Sequence, residues 1–387
     1  MATEEFLPFS RPSISREAIA EVVACLESGW ITTGPRVKKF EDELKRYFGA
    51  PHALALSSAT AGLHLALLAL ELKPGDEVIT TPMTFAATLN TIVLAGGKPV
   101  LVDVEPDTYN MDVSQLEGAI TKHTRAIVPV HFAGLPVDLD PLYALAAKHG
   151  LRVIEDAAHA IGTEYQGKRI GAFGDTQVFS FHPNKNMTTG EGGCVVTRDD
   201  KLAETIALLR FHGMDREAWN RFGKTGSQHY EIVLPGLKYN MMDLQAALGL
   251  HQLPALEGFI QRRTQLAQRY QKLLAGWPQW TLPGAPGYPH RHAWHLYTPL
   301  INPQAAGMDR DAFMTGMKER NIGTGLHYRA AHLYPYYREH FGFKPGDFSN
   351  AETISDRIVS LPLFPAMTEA DQDRAIAAMA SVFGRRA

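Results

Sequence analysis

Two stretches decide the fold: Leu151-Arg152-Val153-Ile154-Glu155-Asp156, followed by Ala157-Ala158-His159-Ala160, and Gln177-Val178-Phe179-Ser180-Phe181, followed by His182-Pro183-Asn184-Lys185. Each is an apolar run of strand length that stops on polar residues, as a strand buried on both faces does where it leaves a sheet. The pattern recurs on working outward. His52 to Leu56, Glu77 to Thr80, Pro99 to Val104 and Ala126 to His131 read as further strands. Helices are expected over 16–29 and 37–48, from Leu63 to about Leu72, and from near Phe85. Short strands alternating with helical stretches predict a doubly wound, mostly parallel α/β sheet.

The pattern changes near residue 250. A polar-faced helix is expected over 254–274, followed by the Pro- and Gly-rich stretch from Trp277 to Pro289. The chain thus divides into a large domain over 1–255, N-terminal segment included, and a smaller C-terminal α+β domain over 256–387.

Composition narrows the function. Lys and Arg number 38 against 41 Asp and Glu, for a formal charge of −3. A nucleic-acid partner needs clustered positive charge, and no basic block is present. Cys25 and Cys194 have no metal-ligand spacing and form no disulfide framework, which suits a reducing cytoplasm. The first residues are acidic where a signal peptide needs positive charge, and no run of about 18 apolar residues predicts a membrane span.

In open α/β sheets ligands bind beyond the carboxyl ends of the strands. That rule selects Ser57–Gly62, Thr80–Phe85, Val130–Gly134, Asp156–His159 and Ser180–Lys185. Alone, Asp156 reads as a turn or helix cap, His159 as a satisfied core histidine and Lys185 as a solvated side chain. Together they read differently. A carboxylate at a strand exit keeps a pyridine nitrogen protonated, and a protonated ring withdraws electrons from a carbanion. A lysine buried at the neighbouring exit loses its proton easily and can attack an aldehyde. The run Ser57-Ser58-Ala59-Thr60-Ala61-Gly62 opens a helix, whose amides and dipole suit a phosphate. The glycines of Thr188-Thr189-Gly190-Glu191-Gly192-Gly193 are expected to let backbone approach a ligand closely. No G-x-x-x-x-G-K-[ST] and no strand-linked G-x-G-x-x-G occurs, so nucleotide-triphosphate and nicotinamide chemistry lack their fingerprints.

Asp156-Ala-Ala-His159-Ala160, Ser180-Phe-His-Pro-Asn-Lys185 and Thr189-Gly-Glu-Gly-Gly193 resemble the signature of the DegT/DnrJ-type sugar aminotransferases. The likeness runs from Gly29-Trp-Ile-Thr-Thr-Gly34 to Ser360-Leu-Pro-Leu-Phe-Pro365. It implies a fold-type I enzyme that uses pyridoxal 5'-phosphate and works as a homodimer with shared active sites. By position, Lys185 would be the Schiff-base lysine, Asp156 would face the ring nitrogen and His159 would stack on the ring. Thr60, Ala61 and Ser180 would hold the phosphate, and Phe85 would cover the other ring face. The partner subunit's segment of the family reads here as Gly236-Leu-Lys-Tyr-Asn240, with Lys238 and Asn240 replacing an asparagine and an arginine. Some relatives carry histidine at the lysine position and act as sugar dehydratases, so Lys185 implies aminotransfer.

Four segments carry a narrower likeness: Leu56–Gly62, Val128–Gly134, His292–Leu296 and Ile322–His332. They imply transfer of an amino group from L-glutamate to C4 of a UDP-linked 4-keto-pentose. The product would be UDP-4-amino-4-deoxy-L-arabinose, a unit of lipid A or polysaccharide decoration. Another nucleotide-linked keto-sugar, or a broader amine acceptor, is the alternative. His182, His327 and Arg329 are the expected substrate contacts, Arg329 as a forked donor, with His292 and His295 as weaker candidates of the same kind.

Overall fold

Alternate residues of the strands enter two different cores, because successive side chains of a strand point to opposite faces. Ala53 and Ala55 pack on one side of the sheet, Leu54 and Leu56 on the other. Ile79, Val153, Phe179 and Cys194 follow the first group, and Val78, Ile154, Val178 and Val195 the second. Burial on both faces explains why these strands read as continuous apolar runs. The computed structural model describes residues 5–215 and 230–385.

In chain order, α1 (Arg16–Glu27) and α2 (Pro35–Phe48) precede β1 (His52–Leu56), α3 (Ala59–Leu68), β2 (Glu77–Thr80), α4 (Ala86–Leu94) and β3 (Lys98–Leu101). Then come α5 (Leu116–Ala119), β4 (Thr124–Ile127), α6 (Leu139–His149), β5 (Arg152–Asp156) and the hairpin β6 (Glu164–Tyr165) and β7 (Lys168–Arg169). β8 (Thr176–Ser180), β9 (Gly193–Thr197) and α7 (Asp200–Leu209) lead to the long helix α8 (Asp243–Leu274). The sheet order is β1-β9-β8-β5-β4-β2-β3. β9 pairs antiparallel with both β1 and β8, while the remaining pairs are parallel. Six strands therefore end at one edge, and β9 alone runs against them. The mostly parallel sheet expected from the sequence is present, with one reversed strand that no sequence pattern marks.

Several elements differ from expectation: β3 ends at Leu101 rather than Val104, and α3 spans Ala59–Leu68 rather than Leu63 to about Leu72. The strand expected from Ala126 to His131 ends at Ile127, because Pro129 has no N–H for the ladder. Pairing resumes beyond it, where the Asp156 amide donates to the Pro129 carbonyl at 2.8 Å and the His131 amide to the Asp156 carbonyl at 3.1 Å. The long helix begins at Asp243 rather than at residue 254, and Pro254 lies inside it.

Beyond α8 come β10 (Trp280–Thr281), β11 (His290–Arg291), β12 (Leu300–Ile301), α9 (Pro303–Ala306), α10 (Arg310–Glu319), α11 (Pro335–Phe341), α12 (Ser349–Arg357) and α13 (Glu369–Val382). A separate apolar cluster there gathers Leu266, Tyr270, Leu274, Phe313, Met317 and Met379, and takes in Leu7 from the N-terminal segment. The same helix α8 gives Leu253, Leu256 and Ile260 to the core under the large sheet. Among the described residues no helix is long and apolar enough to cross a membrane.

Candidate active site

The carboxyl ends of β1, β2, β5 and β8 open into one cleft of about 320 Å³. It is bordered by Ser58, Ala59, Thr60, Thr84, Phe85, Asp156, His159, Ser180, His182, Lys185, His327 and Tyr328, among others. The sequence singles out five strand exits, and each contributes a residue here.

β5 delivers Asp156 as its last residue. The carboxylate accepts hydrogen bonds from Thr88 Oγ1 at 2.7 Å and from the Ala158 amide at 3.2 Å. Thr88 spends its hydrogen on Asp156, so the Thr84 hydroxyl, 2.7 Å from Thr88 Oγ1, must be the donor of that second bond. Burial pushes the Asp156 carboxyl above the usual carboxylate range, partly offset by Thr88, by Ala158 and by the charge of Lys185. A desolvated carboxylate with two neighbours of this kind is a place for a cation.

Lys185 lies beyond β8. Burial lowers its ammonium to about 8, with the charge of Asp156 pulling the other way. Its Nζ lies 3.5 Å from His295 Nε2. From about pH 8 upward a large fraction of this amine is unprotonated and nucleophilic, where an ordinary lysine is still protonated. His295 is buried and neutral, lowered by burial and then by the charges of His159 and Lys185. Its carbonyl accepts from the guanidinium of Arg263 on α8, as do the carbonyls of Trp294 and Leu363.

The start of α3 forms the other end of the cleft. Ser58 Oγ accepts from the Ala61 amide at 3.0 Å, which caps the helix. Ala59 and Thr60 border the cleft, and the first amides of a helix have no carbonyl one turn back to take them. Ser180, at the end of β8, faces the same end. Gly193 makes this possible. A Cβ there would lie 2.5 Å from the Ala59 nitrogen and 2.7 Å from the Phe179 carbonyl oxygen. The expectation that this glycine run gives a ligand access to backbone is therefore corrected at Gly193. Its missing side chain lets β9 lie against the start of α3, and the run reaches the cleft through Glu191 instead.

Lys185, Asp156, His159, Thr60, Ser180, Phe85, His182 and His327 all border the cleft. Ala61, Lys238, Asn240 and Arg329 do not. The Ala61 amide is committed to the cap. Lys238 donates to Asn240 Oδ1 at 2.6 Å and lies over the Phe211 ring, while Asn240 also donates to Thr33 Oγ1. Arg329 donates to the Leu333 carbonyl at 3.3 Å and faces the Tyr334 ring. His292 stacks on Trp294 at 3.9 Å, whereas His295 meets Lys185. His327 Nδ1 pairs with Ser360 Oγ at 2.8 Å, and burial lowers its imidazole to about 4.

Sequence reasoning missed Thr88 and Tyr328 as site residues, and reached Thr84 only as part of the strand exit Thr80–Phe85. A signal existed for Thr88, a β-branched hydroxyl residue one turn into a helix that starts at a strand exit. Tyr328 lies in the segment Ile322–His332, between His327 and Arg329, but nothing there marked its bond to His159, which is remote in sequence.

The site is built to take a flat, anionic cofactor. A desolvated carboxylate suits a protonated ring nitrogen, a buried amine suits an aldehyde, and an open helix start suits a phosphate. These residues fit pyridoxal 5'-phosphate.

Comparison with known proteins points the same way. Residues 12–380 match the DegT/DnrJ/EryC1/StrS aminotransferase family. The chain is 47% identical over 381 residues to the spore coat polysaccharide biosynthesis protein SpsC of Bacillus subtilis, covering 97% of each. It is similar to the solved structure of Helicobacter pylori PseC, an aminotransferase involved in the biosynthesis of pseudoaminic acid. There the TM-score is 0.90 at 31% identity, with 98% of this chain and 100% of that one covered. The Streptococcus pneumoniae sugar aminotransferase Spr1654 in its PLP form gives a TM-score of 0.89 at 33% identity, covering 98% and 99%.

Proposed function

This chain belongs to the DegT/DnrJ/EryC1/StrS family and is a sugar aminotransferase dependent on pyridoxal phosphate, and from that premise we propose a substrate and a role for each residue of the cleft. The reading rests on one observation: Lys185, Asp156 and the start of α3 share a single cleft.

When bound, the cofactor supplies an aldehyde that exchanges with amino groups and a ring that takes up electrons. Asp156 holds the ring nitrogen protonated, and Thr88 fixes that carboxylate by donating to Oδ2. Thr60 and Ser180 hold the phosphate with the first amides of α3, and Phe85 and His159 border the ring. Lys185 Nζ anchors the aldehyde carbon. Once displaced by an incoming amine, it would take the proton from the substrate carbon bearing nitrogen and return it to the former aldehyde carbon on the other side of that nitrogen. L-Glutamate gives up its amino group in the first half-reaction and leaves as 2-oxoglutarate. In the second, a UDP-linked 4-keto-pentose accepts the amino group at C4, yielding UDP-4-amino-4-deoxy-L-arabinose for lipid A or polysaccharide decoration. His182 and His327, at the cleft, and Arg329, nearby, are assigned to the substrate. Likeness to SpsC and PseC supports a second reading, in which the acceptor is another nucleotide-linked keto-sugar.

The enzyme acts as a homodimer in a reducing cytoplasm. Ile19, Val23 and Leu26 recur at helical spacing along α1 and are 44%, 46% and 52% exposed. Such a stripe needs a cover. Lys238 and Asn240 belong to the partner's site in this reading. Cys25 and Cys194 are buried and unpaired, which suits that compartment.

Lys185→Ala protein should lose the visible absorbance and all transamination. Cofactor still fixed to the variant by borohydride would refute the lysine assignment. Turnover on UDP-4-keto-pentose, set beside dTDP- and UDP-linked 4-keto-hexoses, decides the acceptor.

A further inference from the structure

The backbone around His159 fixes where its proton sits. His159 Nδ1 accepts a hydrogen bond from the Ala133 amide at 3.2 Å. An amide N–H can only donate, so Nδ1 carries no hydrogen and the ring's single proton is on Nε2. A second proton is opposed by burial and by the charge of Lys185, which hold this imidazole well below its ordinary range. Nε2 lies 2.9 Å from Tyr328 Oη. The histidine is therefore the donor of that bond and the phenol oxygen its acceptor. A phenol that accepts still has its own hydrogen to place, and among the described residues Tyr328 meets no acceptor for it.

Tyr328 borders the cleft, its ring 5.9 Å from Phe85 and 6.3 Å from Phe132. Burial and the charge of Asp156 raise its phenol above the ordinary range, so the hydroxyl stays protonated at neutral and mildly alkaline pH. His327 precedes it in the chain and is itself neutral at these pH values.

We infer that Tyr328 is the fixed hydrogen-bond donor of the cleft, its hydroxyl hydrogen directed at an anionic oxygen of the bound ligand, with His159 as the residue that orients it. The oxygen has two sources of the same chemistry, the ring oxygen of the cofactor or the carboxylate of the amino-acid donor. The inference rests on the cofactor seat proposed above. It also gives the imidazole a different task from stacking: His159 sets the direction in which Tyr328 donates.

Tyr328→Phe removes the hydroxyl and keeps the ring. In the holoprotein, a ring-oxygen contact predicts that the pH midpoint of the visible band moves by about one unit, with glutamate affinity changed less than about twofold. A carboxylate contact predicts about tenfold weaker glutamate binding, measured by spectral titration, with the band midpoint unmoved. If neither quantity changes, the hydroxyl merely props His159 and the inference is overturned. Borohydride fixation on Lys185 in the same variant tests the seat separately, since it should persist whatever Tyr328 does. A measurement on the unaltered protein stands apart from variant folding. In ¹⁵N-histidine-labelled protein at pH 7, the ring signals lost in His159→Gln should show a bare Nδ1 and a protonated Nε2. A ring protonated at Nδ1 would overturn the assignment.

Discussion

Thr88 is placed to set the charge of Asp156. Among the described residues its hydroxyl makes one of two hydrogen bonds to a buried carboxyl that burial already pushes upward. A hydrogen bond to a charged group contributes about 1.5–3 kcal/mol, and about 1.4 kcal/mol corresponds to one pKa unit. Thr88→Val removes the donor at nearly constant volume, so the carboxyl should rise by about one to two units. Since the ionised form is the working one, the acid limb of the kcat/KM profile should move to higher pH by that amount. An unmoved limb would show that Asp156 does not control it. Lys185 gives the opposite kind of test. Its ammonium is lowered to about 8, so the protonated, unreactive form predominates below that pH. Capture of pyridoxal phosphate by cofactor-free protein should speed up as pH rises through about 8 and then level off. Stopped-flow absorbance would record it, and a midpoint near an ordinary lysine's would contradict the burial argument.

At the scale of elements, the close approach of β9 to α3 builds the phosphate end of the cleft. Gly193→Ala would drive a Cβ into backbone atoms of both Ala59 and Phe179. Overpacking of this kind costs about 1–3 kcal/mol, and here it should also weaken cofactor binding. Gly190 provides the contrast. It has φ +82°, and a Cβ added there would meet nothing within 4 Å, so Gly190→Ala brings only backbone strain, about 1–2 kcal/mol, and should leave the cofactor affinity close to normal. Urea unfolding and a cofactor titration on the two variants would separate packing from strain. The start of α8 shows a related dependence. Gly34 offers α2 no side-chain cap, and Asp243 supplies one from across the chain, its carboxylate accepting from the amides of Arg36 and Val37 at 3.1 and 2.9 Å. The sequence pattern starts this helix at about residue 254, and a proline there suits a helix's first turn. The packing of α1 and α2 against α8 carries the helix past that proline from the other side.

For the whole molecule, the exposed stripe on α1 is the clearest unfinished surface. Ala18 and Cys25 of the same helix are buried, so α1 is apolar on two sides and the chain covers one of them. Given the homodimer proposed above, the unaltered protein should sediment as a dimer and a Val23→Asp, Leu26→Asp double variant as a monomer. The double variant should also lose most transamination if, as proposed, each site is completed by the partner subunit. A variant that remained dimeric would place the interface elsewhere.

The sequence by itself determined the layered sheet, since strands buried on both faces must be apolar throughout and must turn polar where they leave the core. For the same reason it located Lys185, Asp156 and the start of α3, which sit at strand exits and belong to short local patterns. Only the tertiary structure decided which of the expected residues meet. Ala61 is absorbed by a helix cap, and Arg329 turns to Leu333 and Tyr334 outside the cleft. Thr88 and Tyr328 enter the site through partners far away in the chain. The direction of a hydrogen bond depends on every donor and acceptor around it. The donor that fixes the proton of His159 is a backbone amide, at Ala133, which leaves no mark in the sequence.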